Sequence, residues 1–136
     1  RIFHVGPLGT GMFMKTINNS MVQIYVSGLT ELIPLAKKAG LPLKTALDIL
    51  CTGPAGLPVV SDRIPKILGD DATVGFTNSG TAKDNDVFRK ILHHFDMRSP
   101  MLEGFDRQRA FSEKMGLAER DPAELIRAAY DVSEAT

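Results

Sequence analysis

The feature that most constrains the fold is one continuous helical pattern of about 30 residues near the start of the chain. Apolar side chains recur at helical spacing from Ile17 to Ala36, and helix-stop signals follow, with lysines in the last turn and then Gly40. Thr10 is predicted as the N-cap, and Pro34 is expected to bend the helix. A helix of this length measures ~45 Å, too long to lie on the surface of a small domain. We therefore predict a central rod around which the remaining chain packs.

The rest of the chain has the pattern of shorter helices separated by glycine, proline and acidic residues. Caps for the later helices are predicted at Thr81, Ser99 and Asp121, and Pro65 is expected to interrupt the third helix. No segment alternates polar and apolar residues as a strand would. The fold class predicted is all-α, a long central helix with five or six shorter helices packed on it. These shorter helices are predicted at residues 41–51, 57–68, 81–95, 99–116 and 121–132, with a loop at 69–77.

Composition narrows the possible partners. The 136 residues are enough for one domain, and the 16 basic residues balance the 16 acidic ones. This neutrality argues against nucleic acid or an anionic membrane as the main partner, and no apolar run reaches the ~18 residues of a membrane span. The single cysteine, Cys51, excludes an internal disulfide and fits a reducing, cytoplasmic compartment. We expect no metal site, since cysteine and histidine are not clustered at metal-ligand spacing.

One motif suggests chemistry. Three glycines at residues 6, 9 and 11 lead into the long helix, which carries Lys15 and, four residues later, Asn19. Residues four apart lie on the same helix face, so this amine and this amide can reach one oxygen atom. A lysine in the first turns of a helix is also commonly a solvated surface charge. Two consecutive asparagines are poor helix formers and favour a hydrogen-bonding role, which leaves the two interpretations balanced.

The pattern G-x-x-G-x-G-x-x-x-K-x-x-N-N at residues 6–19 resembles the catalytic signature of the β-hydroxyacid dehydrogenases. That family includes 3-hydroxyisobutyrate dehydrogenase, tartronate semialdehyde reductase, L-threonate dehydrogenase and, more distantly, 6-phosphogluconate dehydrogenase. Phe76 followed by Lys83-Asp84 is similar to a second family block, although Asn85 stands where leucine is frequent. The break at Gly116 is similar to the family's C-terminal region.

The resemblance implies that residues 1–136 form one helical C-terminal domain, like that of 6-phosphogluconate dehydrogenase, used for substrate binding and oligomerisation. The family's N-terminal Rossmann domain, which binds NAD or NADP, is not in this chain, whose glycine loop has a different spacing. The implied reaction is reversible oxidation of a small 3-hydroxyacid to its semialdehyde or keto acid. The isolated chain is therefore expected to be inactive, and it is expected to pair with a Rossmann domain of the same parent protein.

Site roles follow from the same resemblance. Lys15 is the expected general acid/base, and Asn19 is expected to orient the reacting oxygen. Gly11 is expected to offer a backbone amide to the substrate carboxylate. Phe76 and Asp84 are expected at the substrate, with core packing and helix capping as their respective alternatives. Lys83 is expected at the cofactor.

Two other functional classes compete with the enzyme. The long apolar helix also fits a structural dimerisation module without catalytic role, and a homodimer or tetramer is expected in either case. A helix-turn-helix nucleic-acid binder is disfavoured by zero net charge.

Overall fold

The computed structural model describes residues 1–134, and within that range the prediction of an all-α fold is confirmed. Seven α-helices and one 3-10 helix are present among these residues, and no strand is. The helices are α1 (Thr10–Lys38), α2 (Leu43–Thr52), α3 (Pro58–Ser61), α4 (Ile64–Leu68), α5 (Asn78–His94), a 3-10 helix (Pro100–Leu102), α6 (Glu103–Lys114) and α7 (Ala123–Asp131).

The long helix α1 has 29 residues, or roughly 43 Å, as the sequence predicts. Its N-cap is Gly9, whose φ of 99° is the left-handed conformation that glycine adopts easily. Thr10 was wrongly predicted as the cap: it is the first helical residue, and its hydroxyl donates to the Pro7 carbonyl at 2.7 Å. The helix continues past Pro34 and closes with a hydrogen bond from the Leu41 N–H to the Ala36 carbonyl.

The core forms where the C-terminal half of α1 meets α2, α4 and α7. Leu29 and Ile33 of α1 are buried against a cluster that includes Leu47, Ile67 and Ile126. The N-terminal half of α1 differs, because its large apolar side chains remain exposed. These exposed residues are Met12, Phe13, Met14, Ile17 and Met21, which we call the apolar end of α1.

In the middle of the chain, one predicted helix start and the position of one predicted break are wrong. Helix α5 begins at Asn78, three residues before Thr81, because the Thr77 hydroxyl caps it by accepting from the Gly80 N–H at 3.0 Å. The helix predicted at 57–68 is interrupted as expected, but the break lies at residues 62–63, between α3 and α4, and not at Pro65. Pro65 lies in the first turn of α4, where its missing N–H breaks no helical hydrogen bond.

The remaining helix starts are closer to expectation. Helix α2 begins just after Pro42, and Ser99 precedes the 3-10 helix that leads into α6 without a side-chain cap. Helix α7 has Pro122 as its N-cap, one residue after the predicted Asp121, whose Oδ1 accepts from the Ala123 N–H at 3.1 Å. This hydrogen bond ties the Asp121 carboxylate to the start of α7, which matters for the site below.

Candidate functional site

A row of polar side chains on α1 lines one cavity of the protein. Lys15, Asn19 and Gln23 follow one another at intervals of four residues and all three line it, so they share one helix face. Val22 and Val26 add apolar surface on the same side. The cavity measures about 300 Å³, which lies at the small end of the range for ligand pockets.

The other walls come from parts of the chain that are distant in sequence. Helix α5 contributes Asp84, the loop before α5 contributes Phe76, and α6 contributes Gln108. The floor and far side are largely apolar. They are lined by Val60, Ile67, Pro122, Ala123 and Ile126 from α3, α4 and the start of α7. The cavity therefore has a polar rim beside α1 and an apolar interior, which suits a small acid with a hydrocarbon skeleton.

An ion pair fixes one corner of the cavity. Arg63 lines it, and its Nη1 donates to Asp121 Oδ1 at 2.5 Å. The Asp121 side chain is 0% exposed and also accepts from the backbone N–H groups of Gly75 and Ala123, at 3.2 Å and 3.1 Å. A buried carboxylate needs such partners, so this arrangement holds α4, α7 and the loop before Phe76 together.

The first residues of the same loop are also held in place by hydrogen bonds. Lys66 donates to Asp71 Oδ2 at 2.9 Å, and the N–H and hydroxyl of Thr73 donate to Asp71 Oδ1. Hydrogen bonds from Lys66 and Thr73 hold the pKa of the Asp71 carboxyl well below its usual range. At the end of this loop the Phe76 ring packs against Gly80. Any other residue at position 80 would place its Cβ only 3.1 Å from that ring. Glycine at this position lets the ring lie against α5.

Four of the six predicted site residues meet at this cavity. They are Lys15, Asn19, Phe76 and Asp84. Phe76 is exposed rather than packed in the core, and Asp84 lies in the second turn of α5 rather than at its cap, so neither structural alternative describes them. Lys15 is exposed at the rim, whereas Asn19 is half-buried and accepts from Asn18 Nδ2 at 3.2 Å.

The other two predicted residues are not at the cavity. Gly11 lies one helical turn before Lys15 and is exposed. The neighbouring amide of Thr10 is already used, since it donates to the Pro7 carbonyl at 3.1 Å. Lys83 does not line this cavity and instead lines a separate depression with Asp86. Their roles at the substrate and the cofactor remain predictions.

Three further polar residues line the cavity that the sequence motifs do not mark: Gln23, Arg63 and Gln108. Gln23 continues the four-residue spacing of Lys15 and Asn19, so extending that spacing by one turn would find it. Arg63 and Gln108 reach the cavity through the packing of α4 and α6, for which the sequence carries no local signal.

Among residues 1–134, no group of three or more His, Cys, Asp or Glu side chains is arranged to hold a metal ion. The helices described here are also too short or too polar to cross a membrane.

Comparison with known proteins shows the family to which the chain belongs. Residues 9–129 match the family described as NAD-binding of NADP-dependent 3-hydroxyisobutyrate dehydrogenase. Glyoxylate/succinic semialdehyde reductase 1 of Arabidopsis thaliana is 25% identical over 128 residues, which are 94% of this chain and 44% of that protein. A probable 3-hydroxyisobutyrate dehydrogenase-like protein of the same plant, mitochondrial by name, is 32% identical over 84 residues, 62% of this chain and 25% of its own length.

A solved structure shares the fold. The 3-hydroxyisobutyrate dehydrogenase of Mycobacterium tuberculosis, determined with L-serine, superposes with a TM-score of 0.79 at 20% identity. The superposition covers 94% of this chain and 46% of that one. This chain thus spans less than half the length of the relatives it matches. Since the family match extends over most of the sequence, the chain belongs to the NAD-binding family of NADP-dependent 3-hydroxyisobutyrate dehydrogenase.

Proposed function

We propose that this chain is the substrate-binding half of an NAD(P)-dependent dehydrogenase that oxidises a small 3-hydroxyacid reversibly to its semialdehyde or keto acid. The observation that carries the proposal is the meeting of Lys15 and Asn19 with Phe76 and Asp84 at one cavity, across more than 60 residues of sequence. Membership of a dehydrogenase family supports it. Relatives named for glyoxylate, succinic semialdehyde and 3-hydroxyisobutyrate support a small acid as substrate.

Lys15 is the proposed general acid/base. As a neutral amine it accepts the proton of the substrate hydroxyl during oxidation, and as an ammonium ion it polarises the carbonyl and returns the proton during reduction. Asn19, one turn further along α1, exchanges no proton and holds the same oxygen in position by hydrogen bonding. Asp84 faces this pair from α5 and provides the carboxylate that contacts either the substrate or the lysine.

The apolar interior has a separate role. Val22, Val26 and Ile126 give the carbon skeleton of the acid a surface to pack on and exclude water from around it. Residues 1–134 contain no strand, and a Rossmann dinucleotide site needs a strand before its phosphate-binding turn, so we assign the main dinucleotide site to a separate domain. Bound mainly by a separate Rossmann domain, NAD or NADP would supply the hydride acceptor at the rim beside Lys15.

The first prediction concerns activity of the separate and joined chains. The isolated 136-residue chain is expected to show no NAD(P)-dependent oxidation of 3-hydroxyacids, since it lacks the dinucleotide site. Fusing it to the Rossmann domain of a relative is expected to give turnover, measured as NAD(P)H absorbance. That Rossmann domain alone is the control. Turnover by the isolated chain at a comparable rate would contradict the proposal.

The apolar end of α1 favours a second role, pairing of two copies. Five large apolar side chains exposed on one helix end exceed what a monomer usually leaves in water. We expect light scattering at ~100 μM to give the mass of a dimer or larger assembly. Ile17→Lys should reduce that mass to the monomer, whereas Ile49→Lys, on an equally exposed isoleucine of α2, should not. A monomer in the wild-type chain would count against this role.

A further inference from the structure

A second cavity lies beyond the first along α1. It measures about 450 Å³ and is lined by α1, α6 and α7, which also form the far end of the first cavity. On α1 the lining passes from Val26 in the first cavity to Ser27 and Thr30 in the second. On α7 it passes from Ile126 to Ala129. The two cavities are therefore successive parts of one groove between these three helices.

One side chain separates the two cavities. Gln108 of α6 lines both of them, and its Oε1 accepts a hydrogen bond from the Ser27 hydroxyl of α1. That hydrogen bond spans the groove from one helix to the other. Ser27 is buried, so the hydrogen bond is electrostatically stronger than it would be in water. We call this pair the Ser27–Gln108 partition.

We infer that the Ser27–Gln108 partition determines specificity by setting the longest hydrocarbon tail that the substrate can carry. The inference rests on the proposed function, which places the reacting hydroxyl at Lys15 and Asn19, toward the opposite end of the cavity. The substrate carboxylate then stays at the polar rim, because burying it in the apolar interior is unfavourable. The tail on the carbinol carbon extends along α1 toward the partition.

The spacing along α1 gives the length of that tail. Ser27 lies eight residues beyond Asn19, or ~12 Å along the helix axis. A carbon atom in contact with the partition stops ~4 Å short of it, which leaves ~8 Å. Carbon–carbon bonds of ~1.5 Å advance ~1.3 Å each in an extended chain, so about six carbons fit. The substrate class is a 3-hydroxyacid with an unbranched tail of this length, as in 3-hydroxynonanoate.

Apolar surface continues on both sides of the partition. The near side has Val26 and Ile126, and the far side has Phe111 and Ala129. A tail that passed the partition would therefore gain further burial, at about fourfold in affinity for each methylene removed from water. Gln108 prevents that gain, so the limit on chain length depends on one side chain.

The test is a series of acids with increasing tails: 3-hydroxybutyrate, 3-hydroxyhexanoate, 3-hydroxynonanoate and 3-hydroxydodecanoate. Their binding to the 136-residue chain is measured by NMR titration, below the concentration at which each acid forms micelles. Affinity is expected to rise about fourfold per methylene as far as 3-hydroxynonanoate. The wild-type chain should bind 3-hydroxydodecanoate no more tightly than that acid, since the last carbons of the longer tail do not fit.

Three variants locate the limit. Gln108→Ala removes the partition and should let 3-hydroxydodecanoate bind at least about tenfold more tightly than 3-hydroxynonanoate. Gln108→Leu keeps a large side chain in the groove and should keep the limit. Lys114→Ala is the matched control, since Lys114 is exposed on the same helix and lines neither cavity. It should leave the whole series unchanged.

A second measurement needs no variant. In the wild-type chain, nuclear Overhauser effects from the terminal methyl group of 3-hydroxynonanoate should reach the methyl groups of Val26 and Ile126 but not that of Ala129. In Gln108→Ala, the terminal methyl group of 3-hydroxydodecanoate should reach Ala129. A merely structural glutamine would change the melting temperature on substitution without moving these contacts.

Three results overturn the inference: affinity that keeps rising to 3-hydroxydodecanoate in the wild-type chain, an unchanged limit in Gln108→Ala, or no binding of 3-hydroxynonanoate at millimolar concentration. If Gln108→Ala does not fold, the wild-type methyl contacts decide. Failure of the proposed function gives a different result. If the fused enzyme loses turnover in Lys15→Ala but Gln108→Ala leaves the limit in place, the function stands and the inference fails. If turnover survives Lys15→Ala while Gln108 controls the limit, the reverse holds.

Discussion

Replacing Lys15 by alanine in the fused enzyme is expected to lower kcat by about 10²–10⁴-fold, the range typical of losing a positioned general acid or base. The amine lies at the rim of the cavity, within one helical turn of Asn19 and opposite Asp84. Alanine removes the proton carrier while preserving the helix, because alanine is the best helix former. The measurement is steady-state turnover with NAD(P)H absorbance, together with helicity by circular dichroism.

Lys38→Ala is the matched control for this experiment. It removes an exposed lysine from the last turn of the same helix, far from the cavity, and should leave kcat within about twofold. Asn19→Ala should reduce kcat less than Lys15→Ala, since an orienting group transfers no proton. If Lys15→Ala and Lys38→Ala behave alike, only the structural role of the helix remains.

Replacing Asp121 by alanine is expected to lower the free energy of unfolding by about 3–5 kcal/mol. The carboxylate is fully buried, pairs with Arg63 and accepts two backbone N–H groups. Its removal leaves the Arg63 guanidinium partly buried without its anion and leaves the Gly75 and Ala123 N–H groups without their acceptor. The measurement is urea denaturation of the isolated chain followed by circular dichroism.

An exposed ion pair gives the comparison for Asp121. Asp48 pairs with Lys44 at 2.7 Å on the surface of α2, where both side chains are more than half exposed. Asp48→Ala should change the free energy of unfolding by no more than about 0.5 kcal/mol. Similar losses for the two variants would show that the Asp121 pair contributes nothing beyond a surface contact.

The helices were largely predictable because their pattern is local. Apolar spacing predicts α1 over almost its full length, and the pair Asp121-Pro122 predicts the start of α7 to within one or two residues. The start of α5 was predicted wrongly because two nearby residues can both cap a helix. Thr77 and Thr81 are both acceptable caps, and the chain uses Thr77 because its hydroxyl reaches the Gly80 N–H. The sequence alone offers no means of choosing between them.

The site was predictable only in part, for a different reason. Lys15 and Asn19 share a face through helical spacing, which any reader of the sequence can derive. Phe76 and Asp84 were placed by family resemblance, and their meeting with Lys15 depends on how α5 and its preceding loop pack on α1. Arg63 and Gln108 were not foreseen, because tertiary packing brings them to the cavity.

The uneven covering of α1 has a mechanical consequence. Its buried apolar anchors begin at Leu29, and Lys15 lies 14 residues away, or ~21 Å along the axis. At that lever length, a tilt of only a few degrees displaces the amine by about 1 Å, enough to slow a well-oriented reaction by about 100-fold. If two copies pair through the apolar end of α1, as proposed above, their contact would set the alignment of the reacting groups, and quaternary contacts would then affect the turnover rate.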